Sequence, residues 1–392
     1  MVFARAMNCS KCSGNWDIPL RAETYYYLNM GEEINQMAPP QGVEELQKIA
    51  TSLLRDRLPS DWSITNTSDV SKADNAIADL ILEAPDGHRA EIQIDARSRF
   101  EPRDVASFSD SISRKADSDE GIIDVVVTRY LTKSTRDRLS EAGISYVDLT
   151  GNICLRSNKP ALFILDRGAD SDPWRGPGRP LGTLKGAPAA RVIRALLDFP
   201  GPWKIRELVE VTKASTGSVY RVVEFLESEA LLVRTQDRTL MVPEWTRLLR
   251  RWSEDYQFLR SNRVTRWNAP RGIEAFLNKV AGNGSDDYAV TGSIAAANWE
   301  AYAPARSAMV YSRDPQQFAK ENGLRPAESG VSVLLAQPAN DVVFERRVER
   351  RDGLLLAAPA QTAVDLMTGP GRAPSEAEEL LNWMVKNEQS WR

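Results

Sequence analysis

Between Ala187 and Val242 the chain carries three helical hydrophobic repeats followed by two short β-type runs, a pattern that few small folds satisfy. Val192, Ile193, Leu196 and Leu197 recur at helical spacing over Ala187 to Phe199. Pro200-Gly201-Pro202 interrupts that helix. Lys204 to Thr212 resumes the period with Ile205, Leu208 and Val209. Lys213-Ala214 forms a short turn, and Ser215 or Thr216 supplies a hydroxyl to cap a third helix that runs to about Glu229. Val219, Val222, Val223 and Leu226 face inward on it, which leaves Ser218, Tyr220 and Arg221 outward. Leu231 to Arg234 and Thr239 to Val242 read as strands, and Gln236-Asp237-Arg238 turns between them at hairpin spacing.

Three helices and a hairpin in this order resemble the winged helix-turn-helix. In such a module the third helix enters the major groove and its N-terminal residues meet base edges. The resemblance implies that Ser215, Thr216, Ser218 and Tyr220 hydrogen-bond to bases or phosphates and that Arg221 reaches phosphate or the acceptor edge of a guanine. Lys204 and Arg206 on the second helix, with Arg234 and Arg238 on the hairpin, are placed for backbone contacts. The formal charge of -4 argues against wholesale coating of nucleic acid, yet Lys185 to Arg266 carries about five more basic than acidic residues. Double-stranded DNA is the expected partner, bound by a homodimer on paired half-sites. A three-helix-plus-hairpin domain used only for protein contacts is the alternative.

The 392 residues suffice for two to four domains. No apolar run is long enough to cross a bilayer, and Arg5 and Asn8 to Lys11 break any signal-peptide pattern, so a cytoplasmic, nucleoid-associated protein is expected. Three cysteines make no disulfide framework. Cys9 and Cys12 form a lone Cys-x-x-Cys, a zinc site needs four ligands, and only His88 and Cys154 remain, so no metal is expected there.

Ahead of the helical repeats the pattern is α/β. A helix from near Gly42 carries Leu46, Ile49, Leu53, Leu54 and Leu58. Strands are expected at Ser63 to Asn66, Ala76 to Glu83, His88 to Ile94, Ile122 to Thr128, Ser145 to Asp148, Ile153 to Arg156 and Ala161 to Leu165. Asp86-Gly87 is a hairpin turn signal. Helices are expected at Pro102 to Ala116 and Thr132 to Ala142. The order resembles the PD-(D/E)XK nuclease superfamily, which places an Asp on the second strand and an acid-x-Lys on the third. The matching residues are Asp79 and Glu91-Ile92-Gln93, with Glu45 on the first helix as a third acid. Two carboxylates on neighbouring strands would hold Mg2+ beside a phosphate in an active member. Gln93 stands where the family has Lys and carries no charge, so the resemblance implies an inactive scaffold that needs no cofactor; a Mg2+-dependent nuclease guided by the helix-turn-helix is the alternative. Tyr146-Val147-Asp148-Leu149-Thr150-Gly151-Asn152 resembles a segment of bacterial proteins that pair a nuclease-like domain with a winged helix, and Asp148 and Asn152 read as turn-building.

Asp166 to Gly186 is rich in Gly, Pro, Asp and Arg and marks a domain boundary. Its Arg175-Gly176-Pro177-Gly178-Arg179-Pro180 contains the Gly-Arg-Pro core of a minor-groove hook, with Arg175 and Arg179 available to phosphate. Beyond the hairpin, Trp245 to about Leu259 is an amphipathic helix with Arg247, Arg250 and Arg251 outward, and those arginines are expected to be available to DNA. Tyr288 to Ser293 runs as a strand into Gly-Ser and then a helix, which resembles the nucleotidyltransferase fold; the following strand, Met309 to Ser312, lacks the paired acids of that chemistry. The winged helix, Thr291 to Ala296, Ala360 to Leu366, Gly371-Arg372 and Glu376-Ala377 together resemble antitoxins of type IV toxin–antitoxin systems, the abortive-infection class. That resemblance implies a DNA-binding repressor whose C-terminal domain counters a protein toxin. The whole is expected to be a multidomain α/β plus α+β protein: an N-terminal extension over 1–40, a nuclease-like domain over 41–168, a linker over 169–186, a winged helix over 187–260 and a nucleotidyltransferase-like domain over 261–392.

Overall fold

The structure, a computed structural model, describes residues 42–67, 79–115, 122–174 and 183–392. The chain divides into two compact units, Met1–Gly178 and Arg179–Arg392. Cys9, Cys12, Arg175 and Arg179 lie outside the described residues.

In the first unit seven strands lie side by side in chain order. Strands β1 (Ser63–Asn66), β2 (Leu80–Glu83) and β3 (Arg89–Arg97) form an antiparallel meander. Strands β4 (Ile122–Thr128) and β5 (Ser145–Asp148) continue it in parallel, and β6 (Ile153–Ser157) and β7 (Leu162–Asp166) return antiparallel. The two parallel steps are those with a helix inserted, α2 (Asp104–Lys115) and α3 (Lys133–Glu141), because a parallel pair cannot be joined by a tight turn. Strand alternation then sorts the core. Ile92, Val125, Val127, Val147 and Ile153 face helix α1 (Val43–Arg57) through its Leu46, Ala50 and Leu54. Val126, Tyr146 and Cys154 face the other way, against Phe100, Val105, Phe108 and Leu139. A sheet covered on both sides explains why β4 reads as an unbroken apolar run after Asp124.

The second unit begins with α4 (Ala187–Asp198), α5 (Ile205–Thr212) and α6 (Thr216–Ser228), followed by the hairpin β8 (Val233–Arg234) and β9 (Leu240–Met241). Trp203 bridges to Leu240 and adds a third short segment to that hairpin. Helix α7 (Trp245–Asp255) follows. It stops earlier than the sequence suggests: Tyr256 leaves it in an extended conformation, and a separate turn, α8 (Phe258–Ser261), precedes β10 (Arg263–Asn268). A second seven-stranded sheet is then built from β10, β11 (Tyr288–Thr291), β12 (Ala308–Ser312), β13 (Arg325–Pro326), β14 (Val333–Gln337), β15 (Val348–Glu349) and β16 (Leu355–Leu356), in the order β13-β10-β14-β12-β11-β16-β15. Helices α9 (Ile273–Gly282) and α11 (Pro315–Asn322) cover one face through Phe276, Leu277, Val280 and Phe318, while α10 (Gly292–Ala296) continues β11. Helices α12 (Pro359–Met367), α13 (Ala373–Lys386) and α14 (Glu388–Trp391) complete the chain.

The segments expected as separate domains at 187–260 and 261–392 share one hydrophobic core. It runs from Val192, Leu196 and Leu226 through Leu248 and Trp252 to Tyr311, Val364, Leu380 and Trp391. Trp245 and Trp391 meet edge to face at 4.9 Å, so α14 is seated on α7. Among the described residues no helix is long and apolar enough to cross a membrane.

Candidate nucleic-acid interface

The three helices owe their starts and stops to local chemistry. Helix α4 has Pro188 in its first turn, and Glu207 on α5 accepts the backbone N–H of Lys204 at 2.8 Å. Helix α5 ends on Lys213 in the left-handed region (φ 51°), which turns the chain within three residues into α6. Ser215 is the N-cap of α6: its Oγ accepts the backbone N–H of Ser218 at 3.2 Å and its hydroxyl donates to Ser218 Oγ at 2.9 Å. Val219, Val222, Val223 and Leu226 are buried, so Thr216, Gly217, Tyr220 and Arg221 are left exposed.

Arg221 lies back along the helix toward its N-terminus. Its Nε donates to the Gly217 carbonyl at 3.2 Å and a terminal nitrogen donates to Ser218 Oγ at 3.1 Å. Ser215, Ser218 and Arg221 therefore form one exposed polar chain over the first turns of α6, beside Tyr220, which is 53% exposed. Glu224 follows one turn later on the same side, so the cationic part of this face is confined to the N-terminal half of the helix. Lys204 and Arg206 are exposed at the start of α5. The two hairpin arginines differ. Arg238 is exposed at the turn, whereas Arg234 makes two hydrogen bonds to Glu227, at 3.0 and 3.2 Å.

Each arginine of α7 carries an ion pair within the unit, and Arg247 and Arg250 stay accessible in theirs, at 35% and 52% exposure. Arg247 meets Glu244 at 2.7 Å, Arg250 grips both oxygens of Glu378 at 2.6 Å, and Arg251 meets Asp255 at 3.0 Å. Arg250 holds the Glu378 carboxyl below its ordinary pKa through those bonds. The Arg250 pair ties α7 to α13, whereas the Arg247 and Arg251 pairs are local to α7 and its start.

The C-terminal motif residues come together below the surface. Thr291 Oγ1 donates to Asp365 at 2.6 Å, Tyr311 OH at 2.7 Å and Gln361 Nε2 at 3.0 Å. Tyr256 and Tyr311 share a hydrogen bond of 2.6 Å. Ser293 donates to Glu376, which also accepts from Arg372 at 2.8 Å. Asp365 is fully buried, and burial pushes its carboxyl up to about 6 against the three donors that favour its charged form. The same network reaches α4. Arg194, 1% exposed, donates to Asp198 at 2.9 Å and to Gln361 Oε1 at 3.2 Å. Gly292 sits at φ 66° where a Cβ would stand 2.7 Å from the Met309 sulfur, so the Gly-Ser turn is closed by its own neighbours. These polar residues sat in apolar-looking stretches, and only burial shows that they bond to one another.

In the first unit Asp79 precedes β2, and its carboxylate accepts the Ile94 N–H at 2.7 Å. Glu91 stands opposite Ile81, and Gln93 stands beside Asp124 of β4. Glu91 and Gln93 alternate with Ala90, Ile92 and Ile94, which face α1; Glu45 rides on α1 and so belongs to the other side of the sheet. Among the described residues no three acidic, His or Cys side chains converge. Asp148 is a structural hub. Its carboxylate accepts from the backbone N–H groups of Leu131, Thr150 and Asn152 and from the Asn152 amide at 2.8 to 3.1 Å. Burial raises its pKa in spite of them.

No protein-family model matches this chain, and no curated protein or solved structure matches it.

Proposed function

We propose that this protein is a double-stranded DNA-binding transcriptional regulator whose winged helix-turn-helix spans α4 to β9. The observation that carries the proposal is the exposed chain Ser215–Ser218–Arg221 with Tyr220 on the N-terminal half of α6, next to a hairpin with an exposed cation at its turn. A helix presented this way offers hydroxyl, phenol and guanidinium groups to base edges, and Lys204 and Arg206 stand on the preceding helix for phosphates. The first unit acts as a nuclease-like scaffold, with Asp79 serving the backbone of β3 and Gln93 in place of a cationic residue. Binding as a homodimer on two half-sites follows from the way such modules read palindromic DNA. The buried Thr291–Asp365 bond and the separate Ser293–Glu376 bond serve as internal structure of the C-terminal sheet and its helices.

Electrophoretic mobility shift with labelled genomic fragments, with and without Mg2+, tests this. A selective shift with intact DNA is expected. Mg2+-dependent cleavage that disappears in Asp79→Asn would replace the regulator by a nuclease. Absence of both, with a nucleotidyltransferase-type toxin co-purifying, would favour an antitoxin that works by protein binding.

A further inference from the structure

The hairpin carries two arginines that look equivalent in the sequence and are held in different ways. Arg234 is paired across the ladder with Leu240, which is buried in the core, so its side chain starts from the inward face of the hairpin. Its guanidinium forms a two-point ion pair with Glu227 on the last turn of α6. The outward face of the same hairpin is Val233 and Met241, each 43% exposed.

Arg238 closes the turn. Its N–H donates to the Thr235 carbonyl at 3.0 Å, and the Thr235 N–H donates to the Thr239 carbonyl at 2.8 Å. The residue at φ 60° occupies the left-handed position of a three-residue hairpin loop, which glycine adopts without steric cost and an arginine does not. Arg346 has a similar backbone (φ 53°), but the fold uses its side chain: it donates to the Asp198 carbonyl and lies over the Phe199 ring at 4.5 Å. The exposed Arg238 side chain makes no hydrogen bond or ion pair among the described residues. Lys213 and Ala230 share this backbone region (φ 51° each), so the conformation alone assigns no role; what sets Arg238 apart is an exposed cation at the hairpin tip that the fold itself does not use, which points to an external anion.

We infer that the hairpin divides its arginines: Arg238 is the DNA phosphate contact, and Arg234 is a positioning residue that holds the hairpin against the third helix through Glu227. The inference rests on the DNA-binding reading and deepens it.

The test uses the full chain and a duplex that the wild type binds, titrated over a salt series. If the wild type binds no duplex, the DNA reading itself fails, and this assignment of the two arginines falls with it. Given wild-type binding, Arg238→Gly should lower affinity by about tenfold or less on every duplex, with the slope of log affinity against log salt shallower by about one. Its melting temperature should not fall, because glycine suits the turn. Arg238→Lys should keep the wild-type slope. Arg234→Glu should weaken binding, and adding Glu227→Arg should restore it, because the reversed pair rebuilds the tie. A direct phosphate contact at position 234 would not be restored by a variant that leaves a carboxylate there. Wild-type affinity and slope in Arg238→Gly, or a double variant as weak as Arg234→Glu, would overturn the inference.

Discussion

Arg221 is the single side chain from which the DNA reading draws its sharpest prediction. Arg221→Ala should cost about 1 to 3 kcal/mol of binding if it meets a base edge, with relaxed preference at one base position. Competition between related duplexes checks this; an equal loss on all of them would make it a phosphate contact. Asp79→Asn should leave DNA affinity unchanged, since that carboxylate serves the Ile94 N–H. The buried Asp365 has a different signature. Its pKa of about 6 lies above the unfolded value of 3.8, so the folded state holds the proton more tightly. Its contribution is therefore fully present below about pH 4 and is lost as pH rises through 6, a change of about 3 kcal/mol. Urea midpoints for wild type and Asp365→Asn over pH 4 to 7 test this, and the variant should lack that part of the profile.

At the scale of elements, periodicity and capping carried most of the information. Helices α4, α5 and α6 begin and end within a residue of expectation. Helix α11 has local start and stop signals: Asp314 accepts the Gln316 and Gln317 N–H groups at 3.1 and 3.0 Å, with Pro315 next and Gly323 at the far end (φ 70°). Asp314→Ala should destabilise the protein by about 1 kcal/mol, measurable as a lower melting temperature. Strand β10 was not legible: Arg263 to Asn268 mixes charge and apolar residues without strict alternation, and its pairing with β14 decides its state. The early end of α7 is likewise tertiary, because the extended Tyr256 carries its hydroxyl to Tyr311 and Asn262.

For the molecule as a whole, the shared core of the second unit makes a prediction that separate domains would not. Isolated residues 179–392 should unfold in one calorimetric transition, and two resolved transitions would contradict the common core. Trp252, 1% exposed and stacked on Tyr256 at 5.2 Å, lies between the three helices and the C-terminal sheet. Trp252→Ala should cost about 3 to 5 kcal/mol and lower the whole transition. The sequence by itself determined the local order of the chain: which segments are helices, where they are capped, which face is apolar, and which side chains on α6 point outward. These follow from backbone period and local hydrogen bonding, which act over a few residues. Only the tertiary structure decided that Arg234 pairs with Glu227 and Arg250 with Glu378, that Asp365 gathers Thr291, Tyr311 and Gln361, and that the last 132 residues share a core with the three helices. Those outcomes depend on which residues, distant along the chain, are brought into contact and out of water, and no local pattern encodes that.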